Sequence, residues 1–101
     1  MKFLHPFILV FLVYILISQE IYPNPLSNQA IINLPALPNR TKVYIAVYNI
    51  QGVQVAKLVD EYYDAGYHSV IWNAHTHSSG VYFVKMMAGS YVNTQKLMLV
   101  K

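Results

Sequence analysis

The sequence predicts an all-β domain, a sandwich or barrel of short antiparallel strands. Three observations carry that expectation. After residue 18 no stretch has the hydrophobic period of an amphipathic helix. Apolar residues instead alternate with polar or aromatic ones over short runs. Those runs recur at roughly 8–12-residue spacing, separated by Gly-, Asn- or Ser-containing turns that leave no room for a crossover helix.

The first element is of another kind. Residues 7–17, Phe-Ile-Leu-Val-Phe-Leu-Val-Tyr-Ile-Leu-Ile, form an unbroken apolar run preceded by Lys2 and ended by Ser18-Gln19-Glu20. A basic start, an apolar core and a polar exit are the layout of a secretory signal peptide. Even counted from Phe3 the run covers about 22 Å as a helix, short of a ~30 Å hydrocarbon core, so a transmembrane anchor is the weaker reading. Residues 1–18 are therefore assigned as a signal peptide or N-terminal hydrophobic segment, 19–29 as a Pro/Asn-rich linker, and 30–101 as the folded domain. The membrane enters only through the N-terminal segment.

Pro23, Pro25, Pro35 and Pro38 exclude helix from the stretch that follows. Between them Ala30-Ile31-Ile32-Asn33-Leu34 makes a first strand, with Ala30, Ile32 and Leu34 on one face. Thr41–Asn49 sets Val43, Ile45 and Val47 against Lys42, Tyr44, Ala46 and Tyr48, a half-buried strand. Gln51-Gly52 turns it into Val53–Val59, Gly52 supplying a positive φ. Asp64-Ala65-Gly66 turns again, and His68, Val70 and Trp72 then alternate with Tyr67, Ser69 and Ile71. Ser78-Ser79-Gly80 leads into Val81–Ala88, where Tyr82, Val84 and Met86 oppose Val81, Phe83 and Lys85, and Gly89-Ser90 closes a hairpin into Tyr91–Lys101. The pattern thus contains six strands.

Composition narrows the chemistry. The 101 residues are 55% apolar and 11% charged, with no cysteine and a formal net charge of +3. Disulfides, thiol catalysis, iron–sulfur clusters and cysteine-ligated zinc are excluded. Basic residues after Lys2 are scattered singly, without the stripe that nucleic acid demands. A chain this short buries somewhat over ~60% of its unfolded surface, enough for one core without staples. That core must rest on Trp72 and the aliphatic faces.

Specific strings then outweigh periodicity. Tyr22-Pro23-Asn24-Pro25 precedes a strand ending Leu34-Pro35. Val43-Tyr44-Ile45-Ala46-Val47-Tyr48-Asn49 follows, with Gly52, Val55 and Leu58-Val59-Asp60. Ala65-Gly66-Tyr67-His68-Ser69-Val70-Ile71-Trp72 and Ser79-Gly80-Val81-Tyr82-Phe83 come next, and Lys96-Leu97-Met98-Leu99-Val100-Lys101 ends the chain. This ordered set, spanning about Tyr22 to Lys101, resembles the type A carboxy-terminal sorting domain of the type IX secretion system of Bacteroidetes. It is similar also to the immunoglobulin-like domain of flagellar hook-capping proteins. The resemblance implies an immunoglobulin-like antiparallel β-sandwich of about seven strands. It implies export to the periplasm and on to the outer membrane, the cell surface or the medium. The implied partners are the outer-membrane translocation machinery and a sortase-like peptidase that cuts before the domain; the domain itself is a non-catalytic address, with no cofactor and no small-molecule substrate. A structural scaffold domain of the hook-capping type and a small carbohydrate-binding module are the alternatives.

The candidate partner-binding residues are Lys96, Leu97, Met98, Leu99, Val100 and Lys101. Four consecutive apolar residues make both faces of a closing strand greasy, an association hazard that the bracketing lysines blunt. Docking through strand addition or a complementary charged groove is one reading; packing in the sandwich with ordinary solvated lysines is the other. Three other clusters read as structure. His75-Thr76-His77 has metal-ligand spacing, yet falls in a loop where Asp64 or His68 would have to complete the site by chance. Asp60-Glu61 and Asp64 lack the ligand series of a calcium loop and read as a solvated turn that also holds Tyr62 and Tyr63. Ser78-Ser79-Gly80 lacks the strand–elbow–helix context of a nucleophile. Tyr44, Tyr67 and Tyr91 are expected to face outward, as contact residues or as strand formers. Asn39-Arg40-Thr41 is a formal glycosylation sequon without expected consequence.

Overall fold

The computed structural model describes residues 21–101. The expected leader, residues 1–18, and the first two residues of the expected linker lie outside the described residues. Seven strands follow in order: β1 (Ile21–Tyr22), β2 (Gln29–Asn33), β3 (Thr41–Tyr48), β4 (Gln54–Tyr63), β5 (Ser69–Asn73), β6 (Gly80–Ala88) and β7 (Tyr91–Leu99). They build two antiparallel sheets, β1-β2-β5 and β4-β3-β6-β7. The chain crosses between sheets after β2, β4 and β5, which gives the immunoglobulin-like arrangement with the fourth strand placed beside β3.

Local chemistry accounts for the crossings. Pro35 and Pro38 stop the β2 ladder, since proline donates no backbone hydrogen bond. The buried Leu34 and Leu37 then anchor the connection in the core. Leu37 and Gly66 exchange backbone hydrogen bonds of 2.9 Å each way, tying the β2–β3 crossing to the β4–β5 crossing. At the other end Asn49 organises the β3–β4 turn, its Oδ1 accepting from the N–H of Gln51 and of Val53 at 3.0 Å each. Gly52 has φ +80, the positive value expected of it.

The core lies between the sheets. Val43, Ile45 and Val47 of β3, Val84 and Met86 of β6, and Leu97 and Leu99 of β7 meet Ala30 and Ile32 of β2 and Trp72 of β5. On β2, β3, β5 and β6 those are the faces that the alternation assigned. Two irregularities in the β3–β4 register, between Ile45 and Ala46 and between Val47 and Tyr48, skip Leu58 and Val55. Each bulge lets a bulky residue stand out of the ladder without turning the rest of β4 inside out.

Four expectations need correction. The stretch read as linker belongs to the fold from Ile21 onward: β1 pairs with β2, and Ile21 and Leu26 are buried in the core. β1 is too short to show a period, so six strands become seven. Asp60-Glu61-Tyr62-Tyr63 is strand rather than turn, paired with Thr41–Tyr44. Cross-strand partners outweigh the low strand propensity of two carboxylates there. Glu61 sits opposite Val43, an inward-placed charge on an edge strand, a device that discourages edge-to-edge pairing. Tyr91 faces inward, opposite the buried Ala88, and packs against the core. Finally, the apolar run of β7 is not greasy on both sides in equal measure. Leu97 and Leu99 are core, while Met98 and Val100 are 45% and 53% exposed.

Candidate functional site

The residues expected to bind a partner come together at one end of the sandwich, and the structure adds residues the sequence did not single out. β7 is an edge strand, with β6 on its inner side. Its outer side is occupied from Lys96 to Val100 by the chain around Asn24. The Asn24 side chain acts as a strand fragment: its Nδ2 donates to the Lys96 carbonyl at 3.0 Å and its Oδ1 accepts from the Met98 N–H at 3.0 Å. Leu26 continues in parallel, donating to the Met98 carbonyl and accepting from the Val100 N–H, both at 2.9 Å. Prolines on either side of Asn24 set up this strap, because neither flanking N–H competes for a ladder bond.

Lys101 is held as well. Its N–H donates to Ser79 Oγ at 3.0 Å, and its Nζ donates to the His75 carbonyl at 2.5 Å. The β5–β6 loop is thereby fastened to the chain's last residues. Exposed Met98 and Val100 and the two lysines are displayed from a pinned frame, and their surroundings leave no backbone edge open between Lys96 and Val100. The signal that could have found Asn24 is the Tyr-Pro-Asn-Pro string itself, an asparagine between rigid neighbours far from any turn glycine.

The remaining candidates are scattered. His75 is exposed and His77 half-buried, its ring 5.5 Å from that of Trp72 and 6.0 Å from that of Tyr82. Among the described residues no three of His, Cys, Asp and Glu are grouped to hold a metal. His68 lies against Tyr63, with its Nε2 2.7 Å from the Asp64 carbonyl. Ser78 offers its carbonyl to the Tyr82 hydroxyl at 2.6 Å, and Ser79 Oγ accepts from Lys101. Both serines therefore serve the loop. Tyr67 is 86% exposed, whereas Tyr44 is half-buried on the outer sheet face and donates to Gln54 Oε1 at 2.8 Å.

Asp60 joins two lysines. Lys42 and Lys57 approach its carboxylate at 3.2 and 3.4 Å. Hydrogen bonds from Lys42 and then Lys57 hold its carboxyl below the ordinary aspartate value, against a smaller opposing effect of burial. A depressed folded value means that the unfolded chain binds the proton more readily. The stabilisation is complete above the unfolded pKa of about 3.9 and is lost as pH falls through the lower folded value. The pair is exposed, so the effect is small. Thermal unfolding of Asp60→Asn between about pH 6 and pH 2 should show a shallower acid loss than the parent; an identical slope would show that Asp60 does not contribute.

A scan against family models matches residues 20–101 to the secretion system C-terminal sorting domain. No curated protein and no solved structure gives a significant match. The matched span contains both sheets, the Asn24 strap and the Lys101 clasp. The chain belongs to the secretion system C-terminal sorting domain family, whose members are the sorting signals of type IX secretion.

Proposed function

We propose that this domain acts as a folded, non-catalytic address, docked by the outer-membrane translocation machinery at Lys96–Lys101. A sortase-like peptidase then cuts the chain ahead of β1, delivering what precedes it to the cell surface or the medium. The observation that carries the docking reading is the rigid presentation of residues 96–101. A backbone held by Asn24, Leu26 and Ser79, with the Lys101 ammonium on the His75 carbonyl, loses little conformational entropy on binding, so contacts made from it translate into affinity. With the β7 edge filled from Lys96 to Val100, a charged groove that receives Met98, Val100 and the lysines is favoured over strand addition.

Deletion of Leu97–Lys101 from a secreted reporter fusion is expected to abolish export. That deletion also removes two core leucines, so a surface variant is the sharper test. Met98→Glu with Val100→Glu leaves Leu97 and Leu99 in place and should keep the thermal midpoint within a few degrees. Secretion of the fusion should nevertheless fall by about tenfold or more, because unpaired charge enters the contact. Undiminished secretion of that double variant would refute docking at this end.

A further inference from the structure

The outer face of the four-stranded sheet has a composition that the strand end alone does not explain. Register places Lys42, Lys57, Lys85 and Lys96 on it, one from each strand. Among the described residues the carboxylate on this face is Asp60; Glu61 sits opposite inward-facing Val43, and Asp64 lies in the β4–β5 loop. Asp60 is shared by Lys42 and Lys57. No salt bridge among the described residues reaches Lys85 or Lys96. These two ammonium groups are diagonal neighbours, since Lys85 pairs with Thr94 and Lys96 with Phe83.

Between and beside them the face is aromatic and aliphatic. Tyr44 and Met87 pair across β3 and β6, and Tyr48 pairs with Phe83 in the same way. Met87 in turn faces the exposed Val92. A depression of about 350 Å³ opens beside the Tyr48–Phe83 pair, lined by Tyr48, Asn49, Ile50, Phe83, Lys85 and Thr94. An apolar floor beside the Lys85 ammonium, which no salt bridge among the described residues reaches, suits a carboxylate carried on an aliphatic stem, as in Glu or Asp side chains of a protein.

We infer that this face is a second docking surface, and that its partner is an acidic protein surface. The inference rests on the proposed docking of the domain and extends it from the strand end to a sheet face. Three features select protein over glycan. Recognition of sugar hydroxyls calls for several free carboxylates, and among the described residues Asp60 on this face is already taken by two lysines. Its aliphatic Met87 and Val92 suit side chains better than rings of hydroxyls, and tyrosine, phenylalanine and methionine are types enriched in protein contacts, with lysine left to the polar rim. Positive potential on one side attracts the complementary sign, raises the encounter rate and rejects basic partners.

The test uses the full chain fused to a secreted cargo, in the secreting cell. A photo-cross-linking amino acid at Phe83 is compared with one at Ile71, which is exposed on the outer face of the other sheet. The expected result is an adduct from position 83, absent from position 71, whose cross-linked peptide is rich in Asp and Glu. Lys85→Glu, outside the Lys96–Lys101 segment, should reduce that adduct about tenfold, and Lys85→Arg should preserve it. Retention of the thermal midpoint in both variants shows that the face and not the fold was altered. An adduct to a second copy of the chain, an adduct to a glycan, equal adducts from both positions, or an adduct indifferent to charge reversal would each overturn the inference. Secretion of the unsubstituted fusion is scored in parallel. Its failure would sink the address reading itself, whereas normal secretion without the acidic adduct sinks the second surface alone.

Discussion

Replacing Trp72 with alanine is expected to remove a third or more of the molecule's stability. The indole is 1% exposed, lies between the sheets, and meets the Tyr82 ring edge-on at 5.3 Å and the His77 ring at 5.5 Å. Truncation of a buried aromatic side chain to Ala costs about 3–5 kcal/mol. A domain of this size holds roughly 5–10 kcal/mol in total, so a third or more of its stability goes with one side chain. No disulfide is available to offset the loss. Because the chain has a single tryptophan, the unfolding must be followed by circular dichroism in urea rather than by indole fluorescence. The midpoint should fall steeply with little change in slope, and a fusion carrying the variant should fail to be secreted. Trp72→Phe separates two contributions. Among the described residues the indole Nε1 has no hydrogen-bond partner, and an unmet buried donor costs about 1–3 kcal/mol. Phenylalanine leaves a gap but removes that donor, so it should be far milder than alanine. If Trp72→Ala kept the parental midpoint, the sandwich would not depend on the residue that links its sheets.

The fold was legible where alternation was long enough to have a face. Val43, Ile45 and Val47, or Tyr82, Val84 and Met86, needed only period two and a boundary glycine to be placed correctly. The failures share a cause: non-local partners decided them. Ile21–Tyr22 is a strand because Ile31 and Ile32 lie beside it, and two residues carry no period of their own. Asp60–Tyr63 continues β4 because Lys42 lies across from Tyr62 and reaches Asp60. The bulges at Leu58 and Val55 were equally invisible, since a register shift leaves no mark in one strand read alone. For the candidate site, the apolar run and its flanking lysines were plain in the sequence. What braces them was not. Asn24 and Ser79 stand far from β7 along the chain, and asparagine between prolines reads locally as a turn residue rather than as the missing neighbour of an edge strand.

Leu26→Ala should have the second-largest effect, and of a different kind. Leu26 is fully buried, so truncation costs about 2–5 kcal/mol through lost packing and the cavity left behind. It also loosens the strap that covers β7, whose backbone groups at Lys96, Met98 and Val100 take their partners from Asn24 and Leu26. An uncovered edge flanked by exposed Met98 and Val100 is a template for pairing with another chain. The variant should therefore be destabilised and should associate with rising concentration, seen by light scattering and size-exclusion chromatography. Asn24→Ala isolates the second effect. It removes two hydrogen bonds at an exposed site and leaves the core untouched, so it should cost only about 1–2 kcal/mol. Association should persist in it, since the unpaired Met98 N–H and Lys96 carbonyl remain on the edge. A monomeric Asn24→Ala of parental stability would show that the asparagine does not guard the strand, and that the hold on the chain's end comes from Leu26 and the Lys101 clasp alone.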